Sequence, residues 1–495
     1  MEQSDMTLGE RSRQDVIVIG SGAGGSSLAY QLSQHGLRVL VIERGDFLVP
    51  DERNSSDAVG KYLYHIVKSG SDASCFVGGE TKFYGAALYR MRESDFTAVE
   101  HENGVSPAWP INYSELEPYY ERAEQLYHVH GATGGDASEP RRAAPFPHPP
   151  IEHAPIVAEL VKRIEKAGIP VSAIPRGLDY GPKGKCVLCS TCDGHYCQID
   201  AKMDAEIAAL RPAIATGKVQ LMTNTNCVRV LTTSDGSRAT GILVQRFGRE
   251  QEIRADAVAI CAGIRGSASL LRRSRTQRHP EGLGNTTGCL GRYLGGHSAG
   301  MIFPLTGWKR VPQVHTKTFA INAYYHGAPG WRYPCGVIQI SGQMPFWEEA
   351  PRLMRPLAYL VGTHALMCFY MTEALPTRKT GFAFEGDEIA GYTPPLHNLK
   401  TFNKLHDLAV RAFRRAGYPV VARRRMPRVW HEVGTTRFGE DPATSVVDVN
   451  CQVHGIEGLF VVDASVLPSA GAVNTALTII ALALRAGDHI SRRLR

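Results

Sequence analysis

The chain has 495 residues, of which 43% are hydrophobic and 21% charged, and its net charge is +7. This is the composition of a folded soluble enzyme too long for one simple core, so we expect two domains. The modest, dispersed charge predicts no nucleic-acid partner, and no apolar run reaches the ~18 residues of a membrane span. The segment before Asp15 is polar and lacks the apolar stretch of a secretory signal; with eleven cysteines, this predicts a reducing, cytoplasmic location.

The first predicted element is a buried strand that leads into a glycine-rich turn. Four apolar residues precede Gly20, Gly22 and Gly25, which fill a G-x-G-x-x-G spacing, and residues 26–36 have a helical pattern. Gly20 permits the tight turn, Gly22 lets the backbone approach a pyrophosphate, and Gly25 allows close packing of helix and strand. The helix amino terminus then faces the anion.

A second strand, residues 37–42, ends at an acidic residue. Glu43 lies at the distance beyond Gly20 where a carboxylate accepts hydrogen bonds from a ribose diol. The same carboxylate would repel a 2′-phosphate. Strand, glycines, helix, strand and acid in this order predict a dinucleotide site for FAD or NAD rather than NADP.

Similar strand–turn–helix patterns recur twice further along the chain. Residues 219–271 contain three strands and then the turn Cys261-Ala-Gly263. The carboxy-terminal segment contains His431, a short strand at 458–465, and Asn474 before an apolar helix. An imidazole and a carboxamide brought together can take a proton from an alcohol and hold the resulting alkoxide.

These segments divide the chain into interleaved parts. We predict an α/β fold in which a Rossmann-like, three-layer cofactor domain carries an inserted α+β substrate-binding domain built on an antiparallel sheet. The predicted cofactor domain is discontinuous and comprises residues 1–100, 205–298 and 427–495. A cap or linker insert with a cysteine-rich loop comprises residues 101–204, and the substrate-binding domain residues 299–426.

The motifs together resemble the glucose-methanol-choline (GMC) flavin oxidoreductase superfamily, and its pyranose-oxidase-like branch fits best. The matches are spread over nearly the whole chain in the family's order, which is far more specific than any one of them. The matching stretches are 16–43, 77–79 with 84–86, 109–120, 261–263, 431–439 and 459–490.

The resemblance implies bound FAD and alcohol oxidation by hydride transfer to flavin N5. His431 and Asn474 correspond to the family's paired catalytic positions, so His431 is expected to accept the hydroxyl proton and Asn474 to donate a hydrogen bond to the alkoxide. For Asn474 a helix N-cap role is also open. The expected cofactor-binding residues are Gly20, Gly22, Ala23, Gly25, Glu43, Arg44, Gly78, Gly79, Val228, Ala262, Gly263, Asp463, Ala464, Asn474 and Thr475.

Three positions depart from the family pattern. Pyranose oxidases attach FAD to a histidine where this chain has Phe83, so non-covalent FAD is expected. Thr475 stands where the family usually has proline. Glu432 follows the catalytic histidine where an uncharged residue is expected; it is either a solvent-facing side chain or a carboxylate that binds a substrate amino group.

The resemblance favours a hydroxyl on a sugar, glycoside or aminocyclitol as the substrate. Tyr324 and Tyr325 are expected to contact it, because the region is rich in aromatics that stack on sugar faces: Tyr324, Tyr325, Trp331, Tyr333, Phe346 and Trp347. The electron acceptor is oxygen, a quinone or a protein, and a homo-oligomer is possible. Two other functions stay open: a GMC-type lyase with structural FAD, and a dehydrogenase subunit that passes electrons to a partner.

Four closely spaced cysteines form a separate motif, Cys186, Cys189, Cys192 and Cys197. Their spacing is ferredoxin-like in the first three members, but the last gap is one residue longer and no proline follows. We expect a loop of free or locally paired thiols and no metal, with zinc or an iron–sulfur cluster as the alternatives. His195 and His297 are expected to be structural, although His297 could lie near the flavin.

Overall fold

The computed structural model describes residues 14–48, 75–190, 192–342, 350–423 and 429–495; Phe346 and Trp347 lie outside these ranges. The strands are β1 Gln14–Ile19, β2 Val39–Ile42, β3 Val99–His101, β4 Gly104–Ser106, β5 Val129–His130, β6 Ser172–Ala173, β7 Arg176–Gly177, β8 Val219–Met222, β9 Thr225–Thr232, β10 Ala239–Arg246, β11 Arg249–Ile260, β12 Gly295–Pro304, β13 Phe319–Ile321, β14 Val337–Ile340, β15 Cys368–Leu375, β16 Gly381–Glu385, β17 Glu388–Thr393, β18 Leu396–His397, β19 Val420–Arg423, β20 Val429–Val433 and β21 Leu459–Val461. The α-helices are α1 Ala23–Gln34, α2 Tyr113–Leu126, α3 Pro155–Lys166, α4 Arg211–Ala215, α5 Gly263–Arg273, α6 Arg355–Thr363, α7 Leu399–Arg415 and α8 Ala476–Leu494.

The first sheet is the Rossmann-like part of the molecule. Its strand order is β8-β2-β1-β11-β10-β9, and β21 pairs with β11. The strands β8, β2, β1, β11 and β21 run parallel, whereas β9 and β10 form an antiparallel extension. The apolar run Val16–Ile19 is buried at the centre of this sheet, as a parallel strand covered on both faces requires. The predicted fold class is confirmed.

The helices α1 and α8 pack along each other and run in the same direction. A Cβ at Gly487 would meet Gln31 at 2.6 Å, so the helices touch closely there. At the same level Asp488 accepts a hydrogen bond from Gln31, and further along the chain in both segments Arg495 donates to the carbonyl of His35. Because the helices are parallel, their amino termini lie at the same side of the sheet. The glycine turn before α1 and the segment that carries Asn474 are thereby placed on one side.

The second sheet is antiparallel and has the order β19-β12-β15-β14-β13-β6, with β18 paired to β15 and β20 paired to β12. Strand β12 is buried along its whole length. The predicted domain boundaries differ from this sheet in two places. They assign residues 295–298 and 429–433 to the cofactor domain, but both segments are hydrogen-bonded into the second sheet. His431 therefore belongs to the second sheet.

A β-bulge interrupts the pairing of β20 with β12 at His431. Gly295 pairs with Val433 and His297 with Trp430, so two residues of β20 face a single residue of β12. His431 adopts a left-handed backbone with φ of 50°. Such a conformation is uncommon for a side-chain-bearing residue, and a bulge redirects the side chain that it contains. The local backbone thus decides where this imidazole points.

Candidate active site

The turn between β1 and α1 forms an open cradle. A Cβ at Gly25 would lie 1.9 Å from the carbonyl oxygen of Gly20, so helix and strand touch closely. A Cβ at Gly22, in contrast, would meet nothing within 4 Å among the described residues and would project into open space. In the same part of the chain, no side chain caps the amino terminus of α1, and its first turn contains no acidic residue. Amino-terminal N–H groups beside open space suit the pyrophosphate of a dinucleotide such as FAD.

Glu43 lies at the end of β2, next to this turn. Its carboxylate accepts hydrogen bonds from the Ser21 amide at 3.0 Å, the Ser21 hydroxyl at 2.6 Å and the Gly45 amide at 3.0 Å. A carboxylate has about four acceptor positions, so one remains for a ribose hydroxyl. The neighbouring Arg44 is exposed and donates to the sulfur of Cys75.

The Gly78–Gly79 loop closes over the glycine turn. The Gly78 amide donates to the Ser21 hydroxyl at 3.1 Å, and a Cβ at Gly79 would lie 3.1 Å from the Cα of Gly22. A side chain at Gly79 would therefore crowd the glycine turn, whereas one at Gly78 would meet Lys82 and Glu206. Both predicted glycine motifs therefore meet at one place, although 57 residues separate Ser21 from Gly78.

A second turn, before α5, is held by Asp463. This buried carboxylate accepts hydrogen bonds from the Gly263 amide at 2.9 Å and the Ser267 hydroxyl at 2.5 Å. Burial, partly offset by hydrogen bonds from Ser267 and Ser465, raises the pKa of Asp463. Ala262 is exposed and Gly263 half-buried, so this turn also opens outwards.

The remaining predicted cofactor residues lie on the same framework. Val228 is half-buried on β9 and accepts a hydrogen bond from Arg273 through its carbonyl. Ala464 is half-buried after Asp463, and Thr475 is buried at the start of α8. Ala23 is half-buried in the first turn of α1.

The two predicted catalytic residues meet. The amide nitrogen of Asn474 lies 3.3 Å from Nε2 of His431, and its carbonyl oxygen accepts a hydrogen bond from Gln339 at 3.0 Å. Because the Gln339 donor fixes the carbonyl, the amide NH₂ of Asn474 faces the imidazole. The segment after His431 also reaches the cofactor turns, since Thr435 donates to the Ile264 carbonyl and Thr436 to that of Ser465.

The other nitrogen of the His431 ring contacts a second histidine. Nδ1 of His431 lies 3.0 Å from Nδ1 of the fully buried His297, whose Nε2 lies 3.0 Å from the Gly471 carbonyl. His431 is exposed to solvent as a residue, although the protein packed around its ring disfavours the charged form. Burial, with a smaller contribution from Lys317, lowers the pKa of His431 to about 4. Burial and the neighbouring His431 lower the pKa of His297 to about 3.

The cysteine-rich loop contacts residues that flank the strands of the second sheet through Asp193. Its carboxylate pairs with Lys317 at 2.6 Å and accepts hydrogen bonds from the Gly342 amide and the Ser341 hydroxyl. The Gly194 amide donates to the Phe83 carbonyl, so the loop also contacts the segment that follows Gly79. Burial opposes ionisation of Asp193, but the positive charges of Lys317 and Arg176 outweigh it and hold the pKa below its ordinary value.

The described residues include all eleven cysteines, and none of these is joined to another by a disulfide. Within the described part of the chain, no group of three or more His, Cys, Asp or Glu side chains is arranged to hold a metal ion. Burial raises the pKa of the Cys186 thiol, and a contact with Cys189 together with burial raises that of Cys192. These two thiols are therefore protonated near neutral pH.

Three residues expected to contact substrate lie in different surroundings. Tyr325 is buried, and its hydroxyl donates to Asp95 at 2.6 Å and accepts from the Ala472 amide at 3.1 Å. It supports the segment that leads to Asn474 rather than presenting a free hydroxyl. Tyr324 is half-buried near the arginines of α7. Glu432 is half-buried and accepts a hydrogen bond from Tyr392 at 3.4 Å.

Two residues that contact the predicted catalytic pair were not among the residues predicted from the sequence to be catalytic. Gln339 is 4% exposed within the otherwise apolar strand Val337–Ile340. A buried amide in such a strand requires a hydrogen-bond partner, and this signal could have marked it. His297, for which the sequence predicts a structural role, contacts the imidazole of His431; its position after two glycines is only a weak indication of this.

The chain matches the profile of GMC oxidoreductases at residues 64–299 and 402–483, and that of NAD(P)-binding Rossmann-like domains at residues 18–72. It is 30% identical to paromamine 6'-oxidase of Streptomyces fradiae over 97% of this chain and 92% of the relative. It is 28% identical to 6'''-hydroxyparomomycin C oxidase of Streptomyces lividus, over the same shares.

Among solved structures, pyridoxine 4-oxidase from Mesorbium loti resembles the chain with a TM-score of 0.66 and 18% identity, covering 96% of this chain and 99% of the other. This likeness concerns the fold. In the described ranges, no helix is both long enough and apolar enough to cross a membrane.

Proposed function

This chain belongs to the GMC oxidoreductase family and is an FAD-dependent alcohol oxidoreductase, and from that premise we propose that it oxidises a hydroxyl group of an aminoglycoside, glycoside or aminocyclitol to the carbonyl. The family resemblance drawn from the sequence motifs is confirmed. The observation that carries the proposal is the meeting of His431 and Asn474 beside the segments that form the cofactor turns.

The protein groups divide the work of alcohol oxidation. FAD, when bound, would accept the hydride that leaves the carbinol carbon. Nε2 of His431 takes the hydroxyl proton, and the amide of Asn474 donates a hydrogen bond to the developing alkoxide. The protonated imidazole then donates a second hydrogen bond to that oxygen, and its positive charge stabilises the alkoxide. A substrate hydroxyl placed beside this pair can contact both groups at once.

The substrate class follows from two relatives that act on aminoglycosides by name. Such substrates carry ammonium groups, which carboxylates recognise. Glu432 directly follows the catalytic histidine and is half-buried, so we propose that it binds an ammonium group of the substrate. Tyr324 and Tyr325 are proposed to shape the substrate side indirectly, Tyr325 through its support of the Asn474 segment.

We also propose that FAD binds without a covalent bond. Phe83 stands at the position of the attachment histidine and is buried against Leu48 and Tyr196, so it offers no nucleophile. A cytoplasmic location is proposed because none of the eleven cysteines is in a disulfide. We propose oxygen as the electron acceptor, since the two named relatives are oxidases.

The test is anaerobic stopped-flow absorbance of the purified, FAD-loaded protein mixed with aminoglycosides, simple glycosides and aminocyclitols. Loss of the oxidised flavin band with aminoglycosides and not with deaminated analogues supports the proposal. Readmission of oxygen should restore the band and release hydrogen peroxide. If no member of the panel bleaches the flavin, the proposed substrate class is wrong, and the lyase with structural FAD becomes the better hypothesis. Reoxidation by a quinone or cytochrome alone would favour the dehydrogenase subunit.

A further inference from the structure

His297 and Gly471 form a chain of hydrogen bonds with the catalytic pair. The chain runs from the Gly471 carbonyl to Nε2 of His297, from Nδ1 of His297 to Nδ1 of His431, and from Nε2 of His431 to the amide of Asn474. The distances are 3.0, 3.0 and 3.3 Å. It ends on Gln339, which donates to the Asn474 carbonyl at 3.0 Å. Both ends of the chain are thus anchored.

The carbonyl of Gly471 fixes the direction of every bond in this chain. A carbonyl only accepts, so Nε2 of His297 carries a proton. A neutral imidazole has one such proton, so Nδ1 of His297 is an acceptor and His431 must donate from its own Nδ1. His431 then has no proton on Nε2. The nitrogen next to Asn474 is therefore the basic one.

The turn that carries the Gly471 carbonyl is held in place by hydrogen bonds to its backbone amides. Glu373 is buried and accepts hydrogen bonds from the amides of Ala470 and Gly471, each at 3.2 Å. The hydroxyl of Tyr325 accepts from the Ala472 amide. Gly471 has a left-handed φ of 57°, and a Cβ there would lie 2.9 Å from both Asp95 and Tyr325. The three amide hydrogen bonds hold the turn in the orientation that directs the Gly471 carbonyl at His297.

We propose, building on the proposed function, that His297 is a positioning residue that selects the reactive tautomer of His431, with the turn at residues 470–472 as its anchor. Without this partner, the His431 proton can sit on either ring nitrogen. With it on Nε2, the ring can donate to the substrate hydroxyl but cannot accept its proton. When His431 takes the substrate proton, the lone pair on Nδ1 of His297 also stabilises the imidazolium through a charge-assisted hydrogen bond.

The direct test reads the tautomer without any substrate. ¹⁵N NMR of the FAD-loaded protein with labelled histidine, with the His431 signals assigned by their loss in His431→Gln, should show Nδ1 protonated and Nε2 unprotonated. A proton on Nε2 of His431 overturns the inference. This readout stands apart from the proposed function, because a protein that oxidises no sugar still reports its tautomer.

A set of variants tests the consequence for the reaction. His297→Gln keeps a donor for Gly471 but has no acceptor at the Nδ1 position, so flavin reduction should slow about 10- to 100-fold with substrate Kd and FAD binding unchanged. His297→Asn places a carbonyl oxygen near the Nδ1 position and should recover part of this loss. Ser298→Ala, the matched change next to it on β12, should reduce flavin at the parent rate.

Two results of these variants would overturn the inference. They are parent-rate flavin reduction in His297→Gln, and equal losses in all three variants. If His297→Gln does not fold, the NMR reading of the unchanged chain decides alone.

Discussion

The side chain of Gln339 on β14 donates a hydrogen bond over 3.0 Å to the carbonyl oxygen of Asn474, 135 residues later in the chain. A carboxamide can present either its carbonyl or its NH₂ group to a neighbour. Because the Asn474 carbonyl faces Gln339, its NH₂ group faces His431 and can donate to a substrate oxygen beside it. Asn474 was predicted from the sequence, but its orientation depends on Gln339, which was not.

Replacing Gln339 should therefore slow the reaction through Asn474. Gln339→Leu removes one hydrogen bond and should lower the flavin-reduction rate constant about 3- to 10-fold. Gln339→Glu has the same shape but accepts, so it should turn the Asn474 amide round and cost more than Leu. Rapid-mixing kinetics at saturating substrate measure both. Equal rates in Gln339→Glu and the parent would contradict the proposed orientation of Asn474.

Removing the catalytic base should abolish most of the activity while leaving the cofactor bound. We expect His431→Ala to reduce flavin about 10² to 10⁴ times more slowly, because a positioned base contributes that much. The oxidised flavin spectrum should be unchanged. His364→Ala, at the end of α6 away from the catalytic pair, serves as the control and should behave like the parent. An unchanged rate in His431→Ala would refute the mechanism.

The open space above Gly22 should not tolerate a side chain once FAD is bound. Gly22→Val places a branched side chain where the pyrophosphate approaches, so the purified protein should contain little flavin. Gly135 likewise has open space around it, and Gly135→Val should retain the parent flavin content. The ratio of flavin to protein absorbance measures both. Full occupancy in Gly22→Val would place the cofactor elsewhere.

The pH dependence of flavin reduction should show a catalytic base with an unusually low pKa. The reaction needs neutral His431, and burial together with Lys317 lowers the pKa of this residue from 6.5 to about 4. The neutral fraction falls only as the pH drops through about 4, so the flavin-reduction rate constant should be level from about pH 5.5 to 8. Stopped-flow measurement across this range tests it. A half-maximal rate near pH 6.5 would mean that the imidazole is not desolvated during reaction.

The ion pair between Asp193 and Lys317 should contribute to stability. Asp193→Asn leaves a buried ammonium without its partner and should lower the free energy of unfolding by about 3–5 kcal/mol. The lowered pKa of Asp193 also means that the ionised carboxylate stabilises the folded protein. This stabilisation is complete above the carboxyl's ordinary pKa of about 3.9 and is lost as the pH falls below that value.

The exposed pair of Arg275 and Asp387 is the matched control for this change. Asp387→Asn should cost about 1 kcal/mol or less, because solvent screens the pair. Chemical unfolding of both variants in the FAD-loaded form compares them. Equal destabilisation would show that burial of the Asp193 pair has no energetic consequence.

The sequence alone determined the features that rest on local spacing. Gly20, Gly22 and Gly25 lie at fixed intervals after an apolar strand, and both the turn and its open cradle follow from backbone sterics over a few residues. The pairing of His431 with Asn474 was also predictable, because both lie in motifs that resemble a known family.

Only the tertiary structure decided how the catalytic groups are aimed. The bulge at His431 depends on the register of β20 against β12, and the tautomer of its ring depends on His297 and the Gly471 carbonyl. The orientation of Asn474 depends on Gln339 in a third strand. Hydrogen bonds between distant segments leave no periodic trace in a sequence, since one polar residue in an apolar strand can serve packing or chemistry equally well. The direction of proton transfer is therefore a property of the fold.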